Sequence, residues 1–289
     1  MASAAARFFL EEAPRLVGTD EEAVSIRVFG RGPALVFLHG FPLHGFTFRK
    51  LLPVLSQRYT CYVVDLLGAG ESRWSDKTDF SFPAQAQAVS RALRMLNVER
   101  YAVLAHDTGA SVARHLALLD TERVERLVLI NTEVPGHRPP WIPLYCKLLA
   151  LPGSSWIFQT LLRSRAYLRS AAGFGGCFVN RSLIDGEFWQ HYINPLVRSR
   201  RRVVGYSRYL CGFDWKENDA LADRHASIRS PVLFVWGADD PTFPEPFGRK
   251  LAGQFPNCSG FHVVPGTKLL PHEERPEEVL QHVDSFLRA

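Results

Sequence analysis

The pentapeptide AHDTG at residues 105–109 decides how this chain is built. It follows a short β-rich run at 102–104 and precedes a run of helical periodicity at 109–119. A strand that turns directly into a helix needs small residues two places either side of the tip, because strand and helix approach each other there. Ala105 and Gly109 meet that need, which puts Asp107 at the tip, where a nucleophile sits in a strained turn.

Working outward, further β-rich runs lie at 34–38, 61–64, 127–130, 232–235 and 261–264, each ending near Gly, Asp, Asn or His. Amphipathic helical segments are expected at 48–57, 84–96, 246–254 and 276–287. This alternation predicts a mostly parallel sheet with helices on both faces. The run at 23–29 alternates more and precedes a Gly-Arg-Gly turn, so it suits an antiparallel strand leading into the sheet. Residues 134–225 are rich in aromatics and arginine with helical periodicity, and read as a helical cap inserted between core segments 1–133 and 226–289. In such sheets the ligand site lies at the carboxyl ends of the strands, here under that cap.

At 289 residues, 46% hydrophobic and 22% charged, the chain can bury a sizeable core and is neither disordered nor fibrous in composition. No apolar run is long enough for a membrane span, and acidic residues follow the short apolar stretch near the start too soon for a secretion signal. Five cysteines, odd in number and scattered without a CxxC, argue against a disulfide framework and a zinc site, so a reducing cytoplasm is expected. No cofactor or metal is expected either. Between Val134 and Arg224 there are 13 Lys/Arg against 6 Asp/Glu, a local excess of +7 beside +5 for the whole chain. That excess reads as a basic surface, or as a match for an anionic substrate or an acidic partner. The RSRRR run at 198–202 is expected on a solvated helix face; nucleic-acid binding is not, because no stacking motif accompanies it.

Two further stretches, HGFP at 39–42 and DLLGAGES at 65–72, resemble the oxyanion loop and the DxxGxGxS stretch of epoxide hydrolases and haloalkane dehalogenases, aspartate-nucleophile members of the α/β-hydrolase superfamily. The resemblance covers most of the chain outside the cap and implies the α/β-hydrolase fold. It implies that Asp107 attacks an sp³ carbon to form an ester, that the Phe41 and Thr108 amides form the oxyanion hole, and that a histidine activates water. It offers two acids to orient that histidine: Asp240, in WGADD at 236–240, and Glu133, in INTE at 130–133. Asp240 is preferred because its GxxD match has more positions.

The expected histidine is absent. Aligning the last loop on Glu274-Arg275-Pro276 puts Leu269 in its slot and Lys268 in that of the preceding glycine. His272, three residues on, reaches the site only if the loop is re-registered, and otherwise reads as a partly exposed histidine near a helix start. His39 and His106 are expected to hydrogen-bond backbone, and His262 to be structural. Thr108 stands where haloalkane dehalogenases have a halide-binding tryptophan and fluoroacetate dehalogenases an arginine. Epoxide hydrolases use two cap tyrosines; Tyr145, Tyr167, Tyr192, Tyr206 and Tyr209 are candidates, while Ser207 replaces one tyrosine of the pair that Tyr206 matches.

The expected activity is therefore hydrolysis of an epoxide or carbon–halogen bond in a small or medium apolar substrate, with an anionic or carrier-bound one left open. The alternatives are an isomerase or cyclase that uses Asp107 for proton transfer, and a ligand-binding protein without turnover.

Overall fold

A computed structural model describes residues 2–212 and 214–289. Eight strands, β1 (Arg15–Gly18), β2 (Ala23–Phe29), β3 (Ala34–Leu38), β4 (Thr60–Asp65), β5 (Tyr101–His106), β6 (Val124–Ile130), β7 (Val232–Gly237) and β8 (Cys258–Val264), form one sheet in the order β1-β2-β4-β3-β5-β6-β7-β8. From β4 to β8 the pairings are parallel, while β2 runs antiparallel to both β1 and β4. The expected strands are all present, each lengthened by at most three residues at an end. β1 was not foreseen, because four residues at an edge, only one of them buried, carry almost no periodicity.

The central strands are apolar on both faces because helices cover both. Every residue of β5 and β7 is buried, as a parallel sheet between two helical layers requires. Truncating a core residue there, such as Leu104→Ala, costs about 2–5 kcal/mol. Helices Phe82–Met95, Thr108–Leu119, Glu245–Ala252 and Pro276–Arg288 match the predicted segments to within two residues. The segment 48–57 does not: a 3₁₀ turn, Gly45–Phe48, gives way to a single α-turn, Leu52–Leu55, with Pro53 at its start. Proline has no N–H to donate to a preceding turn, so it can begin that helix but not sit inside a longer one. The helix Ala4–Glu11 was also not foreseen; Ser3 caps it and Phe9 packs on Phe29 and Phe46.

Between β6 and β7 the chain runs through helices, among them Trp141–Leu149, Ser154–Leu161, Arg165–Arg169 and Arg200–Cys211. The RSRRR run is not a plain solvated face. Arg201 bonds the Trp74 carbonyl, and Arg202 bonds the Gly70 carbonyl and pairs with Glu71, tying this helix to the loop after β4. Asp65 anchors that loop, accepting from the amides of Gly45 and Glu71 and from the Ser25 hydroxyl. Among the described residues no helix is long and apolar enough to cross a membrane.

Candidate active site

Asp107 ends β5 and starts the helix Thr108–Leu119 with φ 52° and ψ −131°, a conformation that disfavours L side chains. Its amide donates to the carbonyls of Ile130 and Asn131 at 3.1 and 2.7 Å, so the next strand holds the strained turn in place. Two glycines make room: a Cβ on Gly40 would overlap the Asp107 side chain, and one on Gly109 would overlap the carbonyls of Leu38 and His39. The alternation of small residues in the pentapeptide therefore has the steric cause inferred from the sequence.

The Phe41 amide donates to Asp107 Oδ2 at 3.0 Å, where the oxyanion loop was expected to act. The Thr108 hydroxyl shares a 2.7 Å hydrogen bond with the Tyr209 hydroxyl. The other carboxyl group on this side of the cavity is that of Glu133, which is 1% exposed. Burial first, and the Glu133 charge second, hold the Asp107 carboxyl well above the usual carboxylate range.

Glu133 is itself held by the hydroxyls of Ser111 (2.7 Å) and Thr132 (3.1 Å). Behind it lies Arg114, fully buried, whose guanidinium donates to Ser111 Oγ at 2.6 Å and to the Glu133 carbonyl at 2.9 Å. Burial lowers its pKa to about 10 against the opposing pull of Glu133, so it stays a cation at neutral pH.

Asp240 stands apart from that pair. It accepts from Asn131 Nδ2 at 2.7 Å and from the Thr242 amide at 2.8 Å, and burial raises its pKa to about 7. Asn131 also accepts from the Gly237 amide and has φ 27°, so it fastens the ends of β6 and β7 together. Glu133 thus lines the cavity with Asp107, and Asp240 sits at the ends of β6 and β7.

Leu269 lines the same cavity as Asp107 and Glu133, where the resemblance led us to expect an imidazole. Its carbonyl bonds His106 Nε2 at 2.8 Å, and His39 bonds the Gly40 carbonyl and accepts from the Leu66 amide, so both histidines serve backbone as anticipated. His272 differs from the partly exposed residue expected. It is fully buried, 2.7 Å from Thr47 Oγ1, stacked on Phe48 and edge-on to His106. Burial, helped by Lys50 and Arg49, lowers its pKa to about 3. It is not among the residues that line the cavity.

The cavity, about 150 Å³, lies between the strand ends and the helices that follow β6, with an almost wholly apolar wall. A volume of this order suits a ligand about the size of benzene. The hydroxyls of Tyr145 and Tyr167, both on that wall, are 3.4 Å apart, and Tyr145 also donates to the Ala172 carbonyl. Tyr206 lines the cavity too, but its hydroxyl is turned to the Leu43 carbonyl. Among the described residues no Lys or Arg lines the cavity. Sequence reasoning missed Ser111 and Arg114. The signal was present, because they are polar residues three apart in a helix buried from Thr108 through Ala117.

Three comparisons bear on this geometry. The family described as alpha/beta hydrolase fold matches residues 33–276. The uncharacterized hydrolase YugF of Bacillus subtilis (strain 168) is 26% identical over 88% of this chain and 89% of its own. The cis-3-alkyl-4-alkyloxetan-2-one decarboxylase of Shewanella oneidensis is 26% identical over 89% of this chain and 83% of its own. Among solved structures, the epoxide hydrolase CorEH superposes with a TM-score of 0.78, covering 96% of this chain and 98% of that one at 19% identity, a likeness of fold.

Proposed function

The chain belongs to the alpha/beta hydrolase fold family, and on that premise we propose that it is an enzyme in which Asp107 attacks an sp³ carbon of a small, apolar, strained or activated substrate beneath a helical cap. Epoxide opening is the nearest reaction class. One observation carries the reading: the elbow carboxyl group, with an amide on Oδ2, shares a cavity with Tyr145 and Tyr167, whose hydroxyls are 3.4 Å apart.

Asp107 bonds to carbon through one oxygen while the ring C–O bond breaks. The departing oxygen takes its proton from Tyr167, whose phenolate recovers one from the Asp107 carboxylic acid that ester hydrolysis releases, and the Phe41 amide stabilises the oxygen that becomes the ester carbonyl. Resolving the ester needs water. With Leu269 in the imidazole's place, Glu133 is the carboxylate that lines the cavity with Asp107. In this reading Glu133 accepts the proton of the water that adds to the ester carbonyl carbon, and the alcohol leaves with a proton. A carboxylate is a weaker base than imidazole, so this half-reaction is slow and the ester persists.

The raised pKa of the buried Asp107 carboxyl group, in a cavity that Glu133 also lines, favours a second reading, proton transfer without a covalent step, as in an isomerase or cyclase. Intact-mass spectrometry after incubation with panels of epoxides and alkyl halides separates the two. A mass increase localised to Asp107 is expected. Product without any adduct, also absent on rapid quenching, supports proton transfer, and neither product nor adduct across the panel overturns both readings.

A further inference from the structure

We propose that the outer face of the helices Trp141–Leu149 and Ser154–Leu161 docks on an anionic lipid surface. Each helix is apolar on two sides. Toward the cavity the first presents Ile142, Tyr145 and Leu149 and the second Phe158 and Leu162. Away from it, Leu144, Leu148 and Leu151 form one stripe, and Trp156, Ile157 and Leu161 another. These six side chains are between 42% and 65% exposed. Single exposed apolar residues are common on soluble proteins, but a contiguous cluster of this size marks an interaction site.

The charge around the patch says what covers it. From residue 139 to 184 the sequence has five cations, Lys147, Arg163, Arg165, Arg169 and Arg181, and no carboxylate. Arg165 and Arg169 pair with Asp185, whereas Lys147, Arg163 and Arg181 have no carboxylate partner among the described residues. Arg200 extends the rim, since its side chain bonds Ser155 Oγ in the second helix. A second copy of this chain, meeting the patch about a two-fold axis, would set these cations against their own equivalents. Anionic headgroups would complement them while the leucines and Trp156 enter the acyl boundary. The same two helices wall the cavity, so an apolar substrate dissolved in the lipid has a short path to it.

The test is co-sedimentation with vesicles of phosphatidylglycerol and phosphatidylcholine, and of phosphatidylcholine alone. The wild type should bind the mixed vesicles more strongly, less so at high salt, with its tryptophan fluorescence quenched by brominated lipid. Leu144→Ser combined with Ile157→Ser, both outside the cavity wall, should lower the partition coefficient by roughly tenfold or more. Lys147→Glu with Arg163→Glu, which leaves every apolar side chain in place, should lower binding to the mixed vesicles by about tenfold and remove the preference for them. Wild-type protein that stays in the supernatant overturns the proposal, as does undiminished binding by either double variant. A concentration-dependent dimer in sedimentation velocity, dissolved by the serine variant in the absence of vesicle binding, also overturns it and assigns the patch to self-association.

Discussion

The Thr132 hydroxyl lies 3.1 Å from both the Asp107 carbonyl and a Glu133 carboxylate oxygen, and the two carboxyl groups line one cavity with Arg114 buried behind Glu133. Attack by Asp107 requires its carboxyl group to ionise, which burial and the Glu133 charge oppose. Four predictions follow from this arrangement and its surroundings.

Asp107→Asn should abolish any covalent adduct and all turnover while leaving the fold intact. Asparagine keeps the shape of the side chain in the strained turn and removes the attacking oxyanion. We expect thermal unfolding above pH 7 to be unchanged or raised by roughly 2–4 °C. Retained activity in the purified variant would falsify the nucleophile assignment.

Glu133→Gln removes the charge that, after burial, does most to raise the Asp107 pKa. The wild-type rate of alkylation should climb with pH as Asp107 ionises, and the midpoint of that climb should fall by about one unit or more in the variant. Coincident pH profiles would mean that the two groups are not coupled. The variant should also hold its ester longer than the wild type in a single-turnover chase.

Leu269→His places an imidazole on the cavity wall beside Asp107 and Glu133. A positioned general base contributes roughly 10²–10⁴-fold, so a persistent adduct should give way to multiple turnovers. Some stability should be lost, because a polar ring replaces a side chain 7% exposed. His272→Ala is the control. If it silences the native enzyme while Leu269→His adds nothing, the last loop is read in the wrong register.

Asp240 links stability to pH, because its pKa is raised from an ordinary 3.8 to about 7 by burial. A raised carboxyl pKa contributes stability below the unfolded value and loses it as pH rises through the folded one. The unfolding free energy of the wild type relative to Asp240→Asn should therefore fall between about pH 4 and pH 8, by a total on the order of 4 kcal/mol. Denaturant titrations of both proteins at four or five pH values measure it. Parallel curves would show that the Asp240 pKa is the same in the folded and unfolded states.

Local sterics wrote much of this protein into its sequence. Gly40 and Gly109 declare the elbow because no larger residue fits, and Gly68 and Gly70 of the DLLGAGES stretch declare the loop beside it for the same reason. The buried strands announce themselves as apolar runs because helices cover both of their faces. What the tertiary structure alone decided is which side chains meet across distant segments. Asp107 and Glu133 are 26 residues apart and touch because β5 and β6 are neighbours in the sheet, a pairing no single motif encodes. Tyr145 and Tyr167, two of five candidate tyrosines, face one cavity because of how short helices pack, while the hydroxyls of Tyr206 and Tyr209 turn to Leu43 and Thr108. His272 looked exposed beside charged neighbours, yet packing against Phe48 and His106 buries it. Spacing along a chain constrains turns and periodicity; the protonation and partners of a buried carboxyl group depend on every atom that displaces water from it.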